Sequence, residues 1–128
     1  MQRPIDPDRR RLPPMSWPPG DRAAWEAALK AGDPFSAPGG AAHWRPATRV
    51  KVAGAYGRWL RFLENMDWLV PGEGPAERAT RARLKAWLDH LKEQDLAPVT
   101  IAGLFTDLHE ALRVMAPGAD LSIIKRAA

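Results

Sequence analysis

The chain has no cysteine among its 128 residues, which excludes disulfides and thiolate-held metals and makes a reducing cytoplasm the expected setting. Histidine is scarce: His43, His90 and His109 stand far apart, so no zinc site is expected. No apolar run reaches the roughly 20 residues that cross a membrane. The opening Met1-Gln2-Arg3-Pro4-Ile5 has no apolar stretch to act as a secretion signal. A Gly-rich phosphate loop, a Gly-x-Ser-x-Gly elbow and a His-Glu-x-x-His motif are all missing. The sequence therefore argues against an enzyme, and neither a cofactor nor a small-molecule substrate is expected.

Charge of one sign is also in short supply where it would matter. The net charge is +4. Residues 46–116 nevertheless hold ten Lys/Arg against nine Asp/Glu, close to neutral. Bulk charge thus favours a nucleic-acid partner only mildly, and any such argument rests on where individual charges lie.

What the chain does have is helical periodicity and proline. Prolines crowd residues 1–20 beside Arg9-Arg10-Arg11, and proline fixes φ and lacks an amide donor, so an extended arm is expected there. Asp21 is placed to cap a short helix over Arg22 to Ala31, with Trp25, Ala28 and Leu29 as its apolar stripe. Its narrow stripe and Pro/Gly-rich flanks predict looser packing than in the other helices. Residues 32–46 read as a loop.

Three longer helices follow. One spans about Thr48 to Met66, with Val52, Tyr56, Trp59, Leu60 and Leu63 at helical spacing. A second spans about Ala76 to Gln94 with Leu84, Trp87, Leu88 and Leu91 inward, and a third about Val99 to Met115. A last short helix is expected from Asp120, with Leu121 and Ile124 inward and Lys125-Arg126 outward. No segment alternates like a strand, so the fold class is all-α: a compact bundle of four to five helices. The division is an arm over 1–20, a short helix and loop over 21–45, and a helical domain over 46–128.

Six tryptophans invite stacking on nucleic-acid bases. Trp25, Trp59 and Trp87, however, fall on apolar stripes, and Trp17, Trp44 and Trp68 sit in or near loops where they cover the bundle ends. Tyr56 is expected in the core. His90 and Glu93 read as a surface pair. At about 100° per residue, Thr48, Lys51, Ala55 and Arg58 share one strip beside the core face of their helix. Arg78, Arg81, Lys85 and Lys92 make a second strip. Either strip is a phosphate-binding edge or an ordinary solvated face. Gly54 and Gly57 each cost roughly 1 kcal/mol against alanine. They serve close approach of a backbone or partner, or are neutral.

From Thr48 onward the order of residues resembles the N-terminal core-binding (SAM-like) domain of tyrosine recombinases, the phage-type integrases. The likeness lies in Tyr56-Gly57-Arg58-Trp59-Leu60-Arg61-Phe62-Leu63, in Trp87-Leu88-Asp89-His90-Leu91 and in Leu96-Ala97-Pro98-Val99-Thr100-Ile101. Ala24-Trp25-Glu26-Ala27-Ala28-Leu29 and Leu112-Arg113-Val114-Met115-Ala116-Pro117 extend it over nearly the whole chain. The resemblance implies a bacterial, DNA-associated protein that grips duplex DNA at a core site and positions a catalytic domain for recombination or integration. That domain would lie outside this chain, since no His-x-x-Arg occurs and Lys125-Arg126-Ala127-Ala128 falls at the family's interdomain linker. By position, the DNA-binding residues would be Thr48, Arg49, Lys51, Arg58, Arg81, Lys85 and Thr100. Val99 and Gly103 offer no long polar side chain and Asp107 would repel phosphate, leaving Thr100 and the helix-start amides for the third helix. Trp25 and Leu29 would meet a neighbouring recombinase protomer. The alternative is a helical protein–protein module that contacts other recombinase subunits.

Overall fold

A computed structural model describes residues 11–127, the last two by backbone only. Among them lie six α-helices: α1 (Pro19–Leu29), α2 (Pro46–Asn65), α3 (Pro75–Arg78), α4 (Arg81–Glu93), α5 (Pro98–Met115) and α6 (Ser122–Ala127). No strand is present in this region beyond an isolated bridge between Asp33 and Ser36. The fold is an all-helical bundle.

Proline explains most of the helix starts. It occupies the first helical position of α1, α2, α3 and α5. There its missing N–H is no loss and its fixed φ suits the helix. α1 consequently begins two residues before Asp21, which is no cap. The segment expected as one helix from Ala76 to Gln94 is two, broken at Ala79 and Thr80. Ala79 leaves helical geometry (φ −84°, ψ 62°), and Thr80 restarts the chain, its Oγ1 accepting the Arg83 amide at 3.2 Å.

α2 and α5 form the central pair. Lys51 faces Asp107, whereas Arg58, two turns on, bonds Gln94 just ahead of α5, so the two helices run antiparallel. Trp59, Leu60, Leu63, Leu84, Trp87, Leu91, Phe105, Leu108 and Leu112 are all sealed from solvent between α2, α4 and α5. Their rings touch in series: Trp59–Trp87 centroids are 5.2 Å apart and Trp87–Phe105 4.9 Å. Ile124 plugs α6 onto this core, with Leu121 partly buried beside it.

The described part of the proline-rich arm is packed rather than loose. Leu12 and Trp17 are buried, and the Leu12 amide donates to the Gly57 carbonyl at 2.9 Å. A Cβ on Gly57 would sit 2.1 Å from the Leu12 carbonyl oxygen, so only glycine lets this backbone lie on α2. Gly54 faces the tip of the Arg11 side chain instead. The partner that the two glycines admit is the chain's own N-terminal segment; residues 1–10 and Arg9-Arg10 lie outside the described residues.

Candidate nucleic-acid interface

The most elaborate polar cluster is buried. Asp21, Tyr56 and Arg78 are each wholly shielded from solvent. The Tyr56 hydroxyl donates to Asp21 Oδ2 at 2.5 Å, and Arg78 donates to the same carboxylate through Nε and Nη2, the latter at 3.0 Å. Arg78 Nη1 also donates to the Val70 carbonyl at 2.6 Å. Glu73 extends the set to the largely buried Arg83 at 2.9 Å. Burial, and secondarily the Asp21 carboxylate, push the Tyr56 phenol well above its ordinary pKa. This cluster ties α1, α2 and α3 together. It removes Arg78 from the basic strip expected along the second helix, and it withdraws Tyr56 from any exposed chemistry.

α1 is correspondingly well anchored, contrary to the looser packing expected of it. Trp25 is buried against Trp17 and Trp44, with centroids at 5.8 and 6.3 Å. The Ala41 amide also donates to the Ala28 carbonyl, satisfying an orphan acceptor at the end of α1. Since Trp25 is covered within its own chain and Leu29 is partly buried on the same core, the reason to expect a protomer contact at this face disappears.

The remaining candidates lie at the surface in different places. Thr48 is exposed in the first turn of α2. Arg49 is turned back onto the preceding loop, donating to the carbonyls of Ala42 (2.7 Å) and Trp44 (3.1 Å). Lys51 keeps 71% of its side chain exposed while its ammonium stands 3.6 Å from Asp107. Burial raises the Asp107 carboxyl above its ordinary pKa, and Lys51 pulls it back down. Arg58 is half-buried and donates to Gln94 Oε1 at 2.9 Å. On α4, Arg81 is exposed, and Lys85 pairs with Asp89 at 3.4 Å. Thr100 is exposed at the start of α5.

The fold groups some of these and separates others. Thr48, Lys51 and Arg58 run along one edge of α2 beside α5. Because the two helices are antiparallel, Thr100 lies at the opposite end of the pair from Thr48, roughly 15 Å away along the axis at 1.5 Å per residue. Arg81 and Lys85 are exposed on a different helix, α4. Sequence reasoning missed His90, whose ring packs against Phe62 at 5.1 Å and does not simply face water. It also missed the Lys51–Asp107 pair, for which opposite charges on two predicted helices were the available signal.

These features define an all-helical bundle with a basic edge on its central helix pair. No family model, no curated protein and no solved structure matches the chain. Among the described residues no helix is long and apolar enough to cross a membrane.

Proposed function

We propose that this chain is a DNA-gripping helical domain of the kind found at the N-terminus of tyrosine recombinases, acting with a separate catalytic domain. The observation that carries the reading is the α2 edge: Thr48 and Lys51, both exposed, and the half-buried Arg58 lie on one side of a helix beside the seam with α5. Cationic side chains on a rigid helix suit phosphate contacts, which position a protein on duplex DNA without reading its sequence. The order of residues from Thr48 to Ile101 supports the same reading, and the helical bundle agrees with it. Asp107 and the near-neutral core limit how many phosphates can be neutralised, so binding by this chain alone is in the micromolar range or weaker, with little sequence preference. No strand cleavage accompanies it, because the one tyrosine is enclosed and bonded to Asp21.

Fluorescence anisotropy with a labelled duplex at two salt concentrations tests the reading. Affinity should fall steeply as salt rises, since each neutralised phosphate releases a counterion. Binding that ignores salt, or none at low salt, refutes it and favours a protein–protein module.

A further inference from the structure

The proline-rich segment brings a further cation to α2. Leu12 is pinned: its amide donates to the Gly57 carbonyl at 2.9 Å, and its own carbonyl accepts the Trp17 indole N–H at 2.7 Å. Pro13 and Pro14 follow and restrict φ on the other side. Arg11 is exposed but tethered to this fixed residue. Its guanidinium lies over Gly54, where a Cβ would stand 2.7 Å from Nη1, 3.8 Å from Cζ and 3.9 Å from Cδ. Glycine at 54 thus leaves open, on α2, the space that the end of the Arg11 side chain fills. Among the described residues Arg11 forms no ion pair, whereas Lys51 shares its charge with Asp107 at 3.6 Å. At about 100° and 1.5 Å per residue, Gly54 stands roughly 60° round and 4.5 Å along from Lys51, and roughly 40° and 6 Å from Arg58. The Arg11 guanidinium therefore joins the basic edge between these two residues.

We propose that Arg11 is a phosphate-binding residue of this edge, set in place by Gly54, so that the N-terminal segment and α2 hold one stretch of DNA backbone together. The proposal rests on the DNA-binding reading and adds a residue that helical spacing along α2 does not assign. A guanidinium suits a phosphate by charge and by its fork of donors. A surface arginine loses rotamer freedom when a ligand fixes it, and here the pinned Leu12 and the helix beneath the side chain have already restricted part of that freedom. Arg11 also borders a groove of about 260 Å³ whose other walls, Leu12, Pro13, Pro14, Val50 and Ala53 among them, supply no acidic group to compete with a phosphate.

The test is a set of anisotropy titrations with one labelled duplex at two salt concentrations, using the full chain and three variants. Arg11→Gln should weaken binding about tenfold, as losing one charge-assisted hydrogen bond would, and lower the salt dependence by about one unit. Gly54→Leu keeps every charge but fills the place of the Arg11 side chain, and it should weaken binding to a similar extent. Lys30→Gln removes the same unit of charge from an exposed residue just past α1 and should change binding far less. Thermal midpoints verify that each variant folds. If the parent chain binds duplex in a salt-dependent way while Arg11→Gln behaves like Lys30→Gln, or Gly54→Leu binds like the parent, the role of Arg11 is overturned and the DNA reading survives. If the parent chain binds no duplex at low salt, both fall.

Discussion

Arg78 and Arg81 stand three positions apart and carry the same charge, yet they belong to different physical regimes. Arg78 ends α3 sealed from water, its guanidinium shared between Asp21 and Val70. Arg81 opens α4 in solvent. The break at Ala79–Thr80 separates them by turning the chain between the two helices. The same contrast divides the molecule: on one side is a buried cluster whose charges are held away from water, and on the other are surface strips whose charges, Lys51 and Lys85 among them, pair in contact with solvent. What a basic residue does here follows from the partner it faces, and helical spacing alone assigns Arg78 to the wrong group.

The comparison breaks most visibly at Arg78. Arg78→Ala strands the Asp21 carboxylate in the interior, and removing one member of a buried pair costs about 3–5 kcal/mol. Urea denaturation should show that loss, a large share of the stability of a small domain. Arg81→Ala should shift the midpoint by no more than about 0.5 kcal/mol. Similar midpoints for the two variants would show the buried cluster to be dispensable. Combining Arg78→Met with Asp21→Leu should recover part of the loss, because the pair disappears together.

Tyr56→Phe comes next, at about 1.5–3 kcal/mol for a hydrogen bond to a charged acceptor. Its pH signature is more telling. The folded phenol has a pKa above its ordinary value of 10.0, so the folded state favours the neutral form. That contribution is complete below about pH 10 and is lost as pH climbs from there through the raised folded pKa. Stability should therefore decline above pH 10 in the parent chain and decline less in Tyr56→Phe, which is measurable by urea titration across that range. Phenol ionisation near pH 10 with the fold intact would contradict the burial argument.

The glycines of α2 sharpen the comparison on a smaller scale. Gly57→Ala drives a methyl group into the Leu12 carbonyl and should cost about 1–3 kcal/mol through overpacking. Gly54→Ala meets the flexible end of Arg11, 2.7 Å from its Nη1, and gains helix propensity of up to about 1 kcal/mol. It should be neutral or stabilising. Thermal midpoints moving in the same direction by the same amount would mean that the N-terminal segment does not press on Gly57.

Much of this architecture is legible in the sequence because helical periodicity is a local property. Val52, Tyr56, Trp59, Leu60 and Leu63 declare the inner face of α2, and all are buried. The helix expected over about Val99 to Met115 is α5, which starts one residue earlier at Pro98. Local signals fail where the deciding partner is remote in sequence. Asp21 looks like a cap because aspartate before a helical run usually is one, and its partner Arg78 is 57 residues away. Trp25 looks like an interface residue until the loop carrying Trp44 folds over it. Gly57 shows that something approaches closely, but not that Leu12 is what arrives. For the candidate site, the α2 strip is readable from spacing, whereas its neighbour Asp107 and the inward turn of Arg49 depend on how loops and helices meet.

The smallest expected effects concern the α2 edge, and they test the surface half of the comparison. Lys51 and Asp107 are held 3.6 Å apart, but Lys51 is mostly exposed, so the pair itself stabilises little. Asp107 has a carboxyl pKa raised by burial, which means the folded state disfavours its charge. That contribution is present at low pH and lost as pH rises through the raised value, so Asp107→Asn should be neutral or slightly stabilising near pH 7. The same change frees the Lys51 ammonium and removes a negative charge from the edge, and it should strengthen duplex binding. Lys51→Ala should weaken that binding and lower the salt dependence by about one unit, as the loss of one phosphate contact requires. Lys92→Ala, toward the end of α4, should do less. Anisotropy titrations at two salt concentrations rank the three variants. If Lys51→Ala and Lys92→Ala behave alike and Asp107→Asn changes nothing, the edge is an ordinary solvated face, and Thr48, Lys51 and Arg58 leave the proposed site together.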